Sequence, residues 1–286
     1  MLILQAFLLG LVQGLTEFIP VSSSGHLQAV PFLLGWESAS LAFDVALHVG
    51  TLLAVVASFH ADLTAMARGL LRPSDAAPSA RGARRLVGML AVASLPAAAV
   101  GLLARDAIGA AFDEPLAVAA FLGVTGVLLW AAERRRARLG TVERPVADVA
   151  AVGAELDAFP WSRVLGVGAA QALAVLPGIS RSGATIAAGM ALGLSRGAAA
   201  RLSFLMLLPV TVGAAAVTLP DLGTVEPGTL AFGPAGIAVG VAVSAVSGYL
   251  AIRFLLNLVA RRSLLVFARY VVALGVLLAA VAVAGG

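Results

Sequence analysis

Apolar residues run along this chain in stretches of about 20, the length that crosses a hydrocarbon core about 30 Å thick. Six uninterrupted runs fall at roughly 41–59, 85–105, 114–132, 199–219, 232–257 and 264–284, and each reads as a transmembrane helix. Two further apolar regions, 2–35 and 161–194, are broken midway by Pro20-Val21-Ser22-Ser23-Ser24-Gly25 and by Pro177-Gly178-Ile179-Ser180-Arg181-Ser182-Gly183. Irregular backbone at membrane depth is tolerated only where protein or a wet cavity covers it. Both regions are therefore expected to be re-entrant helical hairpins, and the fold class an all-α polytopic membrane protein with six full spans.

Composition agrees with that pattern. Hydrophobic residues make up 60% of the chain and charged ones 12%, against roughly a quarter charged in soluble domains. No basic residue precedes Arg68, so the charged start of a secretory signal peptide is missing and the first apolar segment is expected to be retained. With no cysteine, disulfides, thiolate metal sites and a cysteine nucleophile are excluded. All nineteen basic residues are arginines, and they lie between apolar runs, which points to membrane orientation and away from nucleic acid. Segments 60–85 (Arg68, Arg72, Arg81, Arg84, Arg85) and 133–163 (Arg134, Arg135, Arg136, Arg138, Arg144, Arg163) are the basic ones. By the positive-inside rule they face the cytoplasm, while the connections bearing Asp106, Asp113 and Glu114, and Asp221 and Glu226, face outward.

A shift of 158 residues lays Gln13 on Gln171, and Ser22, Ser24 and Gly25 on Ser180, Ser182 and Gly183. Three spans follow each broken region, and an odd number of crossings inverts the second copy. The chain thus reads as one membrane domain, 1–286, built of inverted repeats at about 1–132 and 161–286 joined by the Arg-rich loop 133–160. Such repeats bring paired interrupted helices together near mid-membrane.

Ionisable side chains inside spans cost about 2.5–3.5 kcal/mol each on insertion scales and mark functional sites by default. Here they concentrate at the breaks: Glu17, His26 and Arg181, with Asp44 and His48 near the outer end of the next span as second-tier candidates. Gln13 and Glu17 share a helix face and could hold a hard divalent cation, Mg²⁺ or Ca²⁺, together with substrate phosphates. The bland alternative is that Glu17 only pairs with Arg181. Ser22, Ser23, Ser24 and Gly25, and likewise Ser180, Ser182 and Gly183 ahead of Thr185, look like helix N-terminal caps whose amides suit a phosphate. Arg181 adds a forked positive charge, and His26 an imidazole able to exchange protons near neutrality. The sequence places Glu17, His26 and Arg181 in one polar pocket.

The run from Gln13 to His26 and the run from Pro177 to Thr185 resemble the two signatures of the UppP/BacA-type undecaprenyl-diphosphate phosphatases, and the likeness covers almost the whole chain, including Phe43-Asp44 and Leu202-Ser203-Phe204. The resemblance implies hydrolysis of undecaprenyl diphosphate to undecaprenyl phosphate and inorganic phosphate in the bacterial inner membrane, at a site open to the outer side. It also implies a polyprenyl diphosphate substrate among membrane lipids, dependence on a divalent cation, recycling of the carrier for peptidoglycan synthesis and resistance to bacitracin. Its functional residues fall on Gln13, Glu17, Ser23, His26, Ser180, Arg181 and Thr185, with Gln13 the amide variant of a position that is otherwise Glu. A homodimer is compatible with this reading. On architecture alone a lipid-phosphate transporter or flippase fits as well. A type-2 phosphatidic acid phosphatase does not, since that family needs a lysine motif and a histidine after its Ser-Arg element, and every histidine here precedes Arg181.

Overall fold

The computed structural model describes residues 2–37, 39–72, 77–104, 114–141, 149–222, 232–259 and 261–285, and every regular element among them is an α-helix. Helices α1 (Leu2–Phe18) and α2 (Ser23–Leu34) pack on each other as the first hairpin; α8 (Trp161–Leu173) and α9 (Arg181–Ala191) do the same as the second. Five helices are long and apolar enough to cross a membrane: α5 (Pro78–Leu103), α6 (Pro115–Leu139), α10 (Arg196–Leu222), α11 (Gly233–Val259) and α12 (Leu265–Gly285). A sixth span is reached by counting α3 (Leu41–Ser58) with α4 (His60–Leu71), which continues it after a 79° bend. The chain is thus a polytopic all-helical membrane protein.

Two expected connections are structured. Segment 60–85 holds α4 and the start of α5, and 133–160 holds the end of α6 and α7 (Val149–Asp157). The bend at Phe59 has visible causes. Its ring is buried and tilted against Phe204, Arg201 lies over it, and Arg201 also pairs with Asp62 one turn into α4. Helix α4 lies against α5, and its far end leaves Leu70 and Leu71 exposed beside Arg68 and Arg72, the pattern of a helix lying in the lipid interface. Asp106, Asp113, Arg144, Glu226 and the side chain of Asp221 lie outside the described residues.

Arginine contacts gather at one end of the bundle. Arg85 donates to Phe159 O, Arg135 to Ala191 O and Arg163 to Leu192 O, so the two last caps the carboxyl end of α9. Arg196 makes a two-pronged pair with Glu133, whose Oε1 also accepts the amide of Leu264 at the start of α12.

The hairpins are knitted into the bundle by exchange: α1 packs mainly on α11, and α8 on α5, while α12 pairs with α6. Small residues permit this approach. A Cβ on Gly10 would sit 2.6 Å from the carbonyl oxygen of Gly240, a backbone atom that cannot step aside. Gly10→Val is therefore expected to force α1 from α11 and lower stability by about 1–3 kcal/mol, read as a lower melting temperature in detergent; an unchanged melt would show that this contact is loose.

Candidate active site

The two breaks meet. Ser22 caps α2 by accepting the amide of Gly25 at 3.2 Å, and Ser180 caps α9 by accepting that of Gly183 at 3.0 Å. Each capping hydroxyl also lies next to the serine two residues on, Ser24 at 3.3 Å and Ser182 at 3.2 Å. Across the junction, the Gly178 amide donates to Ser24 Oγ and Ser182 Oγ donates to Ile19 O. Gly25 is required by this approach, since a Cβ there would lie 3.0 Å from Leu122 and 3.4 Å from the Cα of Gly178. Gly178 itself has φ +93° and faces Val118 O, and Thr125 of α6 pins its loop by donating to Gly178 O and accepting from Ser180 N.

At this junction Glu17 is the hub. Its Oε1 accepts from Arg181 Nη2 at 3.1 Å; its Oε2 accepts from Ser23 Oγ at 2.6 Å and from Gln13 Nε2 at 3.1 Å. His48 Nε2 stands 3.7 Å from the same Oε2, with its Nδ1 held by Asp44 O. The other arm of the Arg181 fork donates to Ser203 O at 2.8 Å, and Thr185 Oγ1 bonds Ser203 Oγ and Arg181 O. Ser23 and Arg181 are the first residues of α2 and α9, positions that the 158-residue shift superposes. One carboxylate thus holds the leading residue of both half-helices.

Above this hub lies a cavity of about 350 Å³. Its polar wall is Glu17, Ser22, Ser23, Ser24, Asp44, His48, Gln171, Ser180 and Arg181; its apolar wall comes from α3, α5 and α10 through Val45, Val49, Ala97, Leu207, Val210 and Ala214. The lining of α3 precedes its bend and that of α5 and α10 follows their arginine-bearing starts, so the cavity occupies the end of the bundle away from the arginines. Several buried polar atoms in and beneath it have no protein partner: Asp44 Oδ1, Gln171 Oε1, Gln13 Oε1 and Arg181 Nε. Buried polar atoms are normally satisfied, so these are available to a bound ligand or water.

His26 is placed otherwise than expected. Its ring is buried outside the cavity lining, with Nδ1 2.7 Å from Ser22 O and Nε2 2.8 Å from the hydroxyl of Tyr270 on α12. The helix turn that carries it faces α12, whereas Ser23, three positions earlier, faces the cavity. The imidazole beside Glu17 is that of His48. Sequence reasoning also passed over Thr125 and Tyr270; the signal for each was a polar residue inside an apolar span.

Comparison with known proteins fits this geometry. The model of a family described as bacitracin resistance protein BacA matches residues 6–277. The chain belongs to the BacA family. Among its relatives, proteins named undecaprenyl-diphosphatase from Gemmatimonas aurantiaca, Moorella thermoacetica and Rubrobacter xylanophilus are 41%, 42% and 43% identical to it. These matches cover 96%, 98% and 97% of this chain and the same shares of the relatives. For this BacA-family chain every residue of the Glu17 hub lies inside the matched region, as do both hairpins and the spans apart from the first residues of α1 and the last of α12.

Proposed function

We propose that this chain hydrolyses undecaprenyl diphosphate to undecaprenyl phosphate and inorganic phosphate in the bacterial cytoplasmic membrane, from a cavity that opens to the outer side. The observation that carries the reading is the Glu17 carboxylate bonded at once to Arg181 and to the hydroxyl of Ser23, on the polar floor of a mostly apolar cavity. The polar floor suits a diphosphate and the apolar walls the first isoprenoid carbons. By the positive-inside rule the arginine end is cytoplasmic, which turns the cavity outward. Relatives carrying the name undecaprenyl-diphosphatase along their full length support the substrate.

The terminal phosphoryl group would lie before the amino ends of α2 and α9, where first-turn amides and the helix dipoles favour an anion. Arg181 neutralises charge on the transferring group. Ser23 Oγ attacks the terminal phosphorus, its proton passes to Glu17 Oε2, and the anhydride bond breaks to release undecaprenyl phosphate. Water then attacks the phosphoserine, the bond between Ser23 Oγ and phosphorus breaks to release inorganic phosphate, and Glu17 returns the proton to Ser23 Oγ. In phosphoryl transfer, positioning and electrostatics carry most of the acceleration. By restoring the supply of carrier lipid, this reaction would also support resistance to bacitracin, in keeping with the family's description.

A divalent cation fits as an addition to this set. Among the described residues no group of three or more His, Asp and Glu could hold one, but Asp44, which lines the same cavity as Glu17, has an unpartnered Oδ1, and Gln13, bonded to Glu17, an unpartnered Oε1. Glu17 and Asp44 would hold Mg²⁺ or Ca²⁺ jointly with diphosphate oxygens, the mode usual for Mg²⁺, with Gln13 orienting Glu17. When bound, the ion supplies further charge neutralisation.

Purified protein in detergent should release phosphate from undecaprenyl diphosphate and lose that activity with chelator; a transporter would release none, since transport needs a sealed compartment. Ser23→Ala should reduce the rate by about 10³-fold or more, and labelled phosphate should be trapped on Ser23 in the unmodified chain. Label on no residue would mean that water attacks directly.

A further inference from the structure

His26 is one of only three histidines and sits four residues from the Ser22 carbonyl it bonds, yet it does not reach the cavity. What it does reach is specific. A carbonyl oxygen can only accept, so the 2.7 Å contact with Ser22 O requires the proton on Nδ1. In the neutral imidazole Nε2 is then the acceptor, and the Tyr270 hydroxyl at 2.8 Å is its donor. The two rings are also stacked, with centroids 5.6 Å apart and planes 17° from parallel. Tyr270 is one of two tyrosines in the chain and lies on α12, 244 residues from its partner.

The residue at the other end of this chain of bonds is unusual. Among the described residues Ser22 is the sole non-glycine with positive φ, at +73°. Such a conformation costs about 1–3 kcal/mol and persists only when its surroundings over-determine it. Ser22 is fixed at both ends here: its hydroxyl caps Gly25, and its carbonyl receives His26. Because its neighbour Ser23 opens α2 and bonds Glu17 at 2.6 Å, the Ser22 conformation sets where the Ser23 hydroxyl stands.

We infer that Tyr270 and His26 form a latch, in which the Tyr270 hydroxyl fixes the His26 tautomer and His26 holds the Ser22 turn, so that both are positioning residues for Ser23 rather than proton carriers in the cavity. The inference rests on the phosphatase reading for its kinetic consequence and on geometry alone for its tautomer. A 1 Å misplacement of a reacting group can cost about 10²-fold in rate, which is the size of effect available to a latch that touches no substrate.

Four full-length proteins test this in detergent, with farnesyl diphosphate as the probe: unmodified, Tyr270→Phe, His26→Asn and His26→Ala. Asparagine places an amide N–H where Nδ1–H stands, so it keeps the bond to Ser22 O but does not titrate and cannot relay a proton. Tyr270→Phe is expected to lower kcat about tenfold with KM within about twofold. His26→Asn is expected to match it, and Tyr270→Phe added to His26→Asn to cost nothing more, as for two members of one unit. His26→Ala should fall about 10²-fold. If His26→Asn were as inactive as His26→Ala while Tyr270→Phe kept the full rate, His26 would be transferring protons and the latch would be overturned. Nitrogen-15 NMR of the histidines gives a reading independent of activity, the His26 resonances being identified by their loss in His26→Asn. The latch requires an unprotonated Nε2 whose resonance moves in Tyr270→Phe; a protonated Nε2, or no movement, overturns it. A failure of the unmodified chain to release phosphate would count against the phosphatase reading, while the NMR result would still decide the latch.

Discussion

Arg181→Ala is expected to lose phosphate release by about 10³-fold and to melt at a lower temperature than the unmodified chain. Both effects follow from its place between Glu17 Oε1 and Ser203 O. The Glu17 side chain is 5% exposed, and without Arg181 its charge would be buried with no guanidinium beside it. Removing one partner of a buried pair costs about 3–5 kcal/mol. Arg181→Lys separates the two effects. Lysine restores the charge and part of the stability but has no fork to bridge the carboxylate and the carbonyl, so its turnover should stay about 10²-fold down. Phosphate release and thermal melts on the same samples check this. An Arg181→Ala protein with near-normal turnover would mean that charge on the transferring group is neutralised elsewhere.

Glu17→Gln should be nearly as damaging to catalysis and milder to the fold. The substitution keeps the shape of the hub but removes the proton acceptor 2.6 Å from Ser23 Oγ; general-base contributions run to about 10²–10⁴-fold, and a kcat about 10³-fold lower is expected. Arg181 would lose its counter-charge, yet its side chain is 13% exposed toward the cavity and can be hydrated there. The loss should fall on kcat with KM within a few-fold. A raised KM with kcat intact would show instead that Glu17 serves only in binding, and would remove it as the acceptor of the Ser23 proton.

The spans were legible because burial in lipid demands long apolar runs, and the breaks because Pro20, Pro177 and the serines interrupt them. Opposite charges at Glu17 and Arg181 announced their pairing, since neither is tolerable alone at that depth. Three things were not legible. The bend after α3 depends on Phe59 meeting Phe204 and Arg201, contacts across about 140 residues of chain that no local pattern encodes. The direction of His26 depends on Tyr270, farther away still. And the choice of His48 over His26 as the imidazole next to Glu17 is set by how α3 leans on α1, which spacing along either helix does not reveal. The inverted repeat stands as our proposal. It draws support from the matched serine caps, from Ser23 and Arg181 at equivalent helix starts, and from the exchanged packing of α1 on α11 and α8 on α5.

That exchange has a consequence for biogenesis. Glu17 and Arg181 are 164 residues apart, so at ribosomal speeds of about 5–20 residues per second the acid is made roughly 10–30 s before its guanidinium. The helix α1 rests on, α11, emerges later still. For that interval the first hairpin has neither its counter-ion nor the helix it rests on, so its final seating follows synthesis of the second half of the chain.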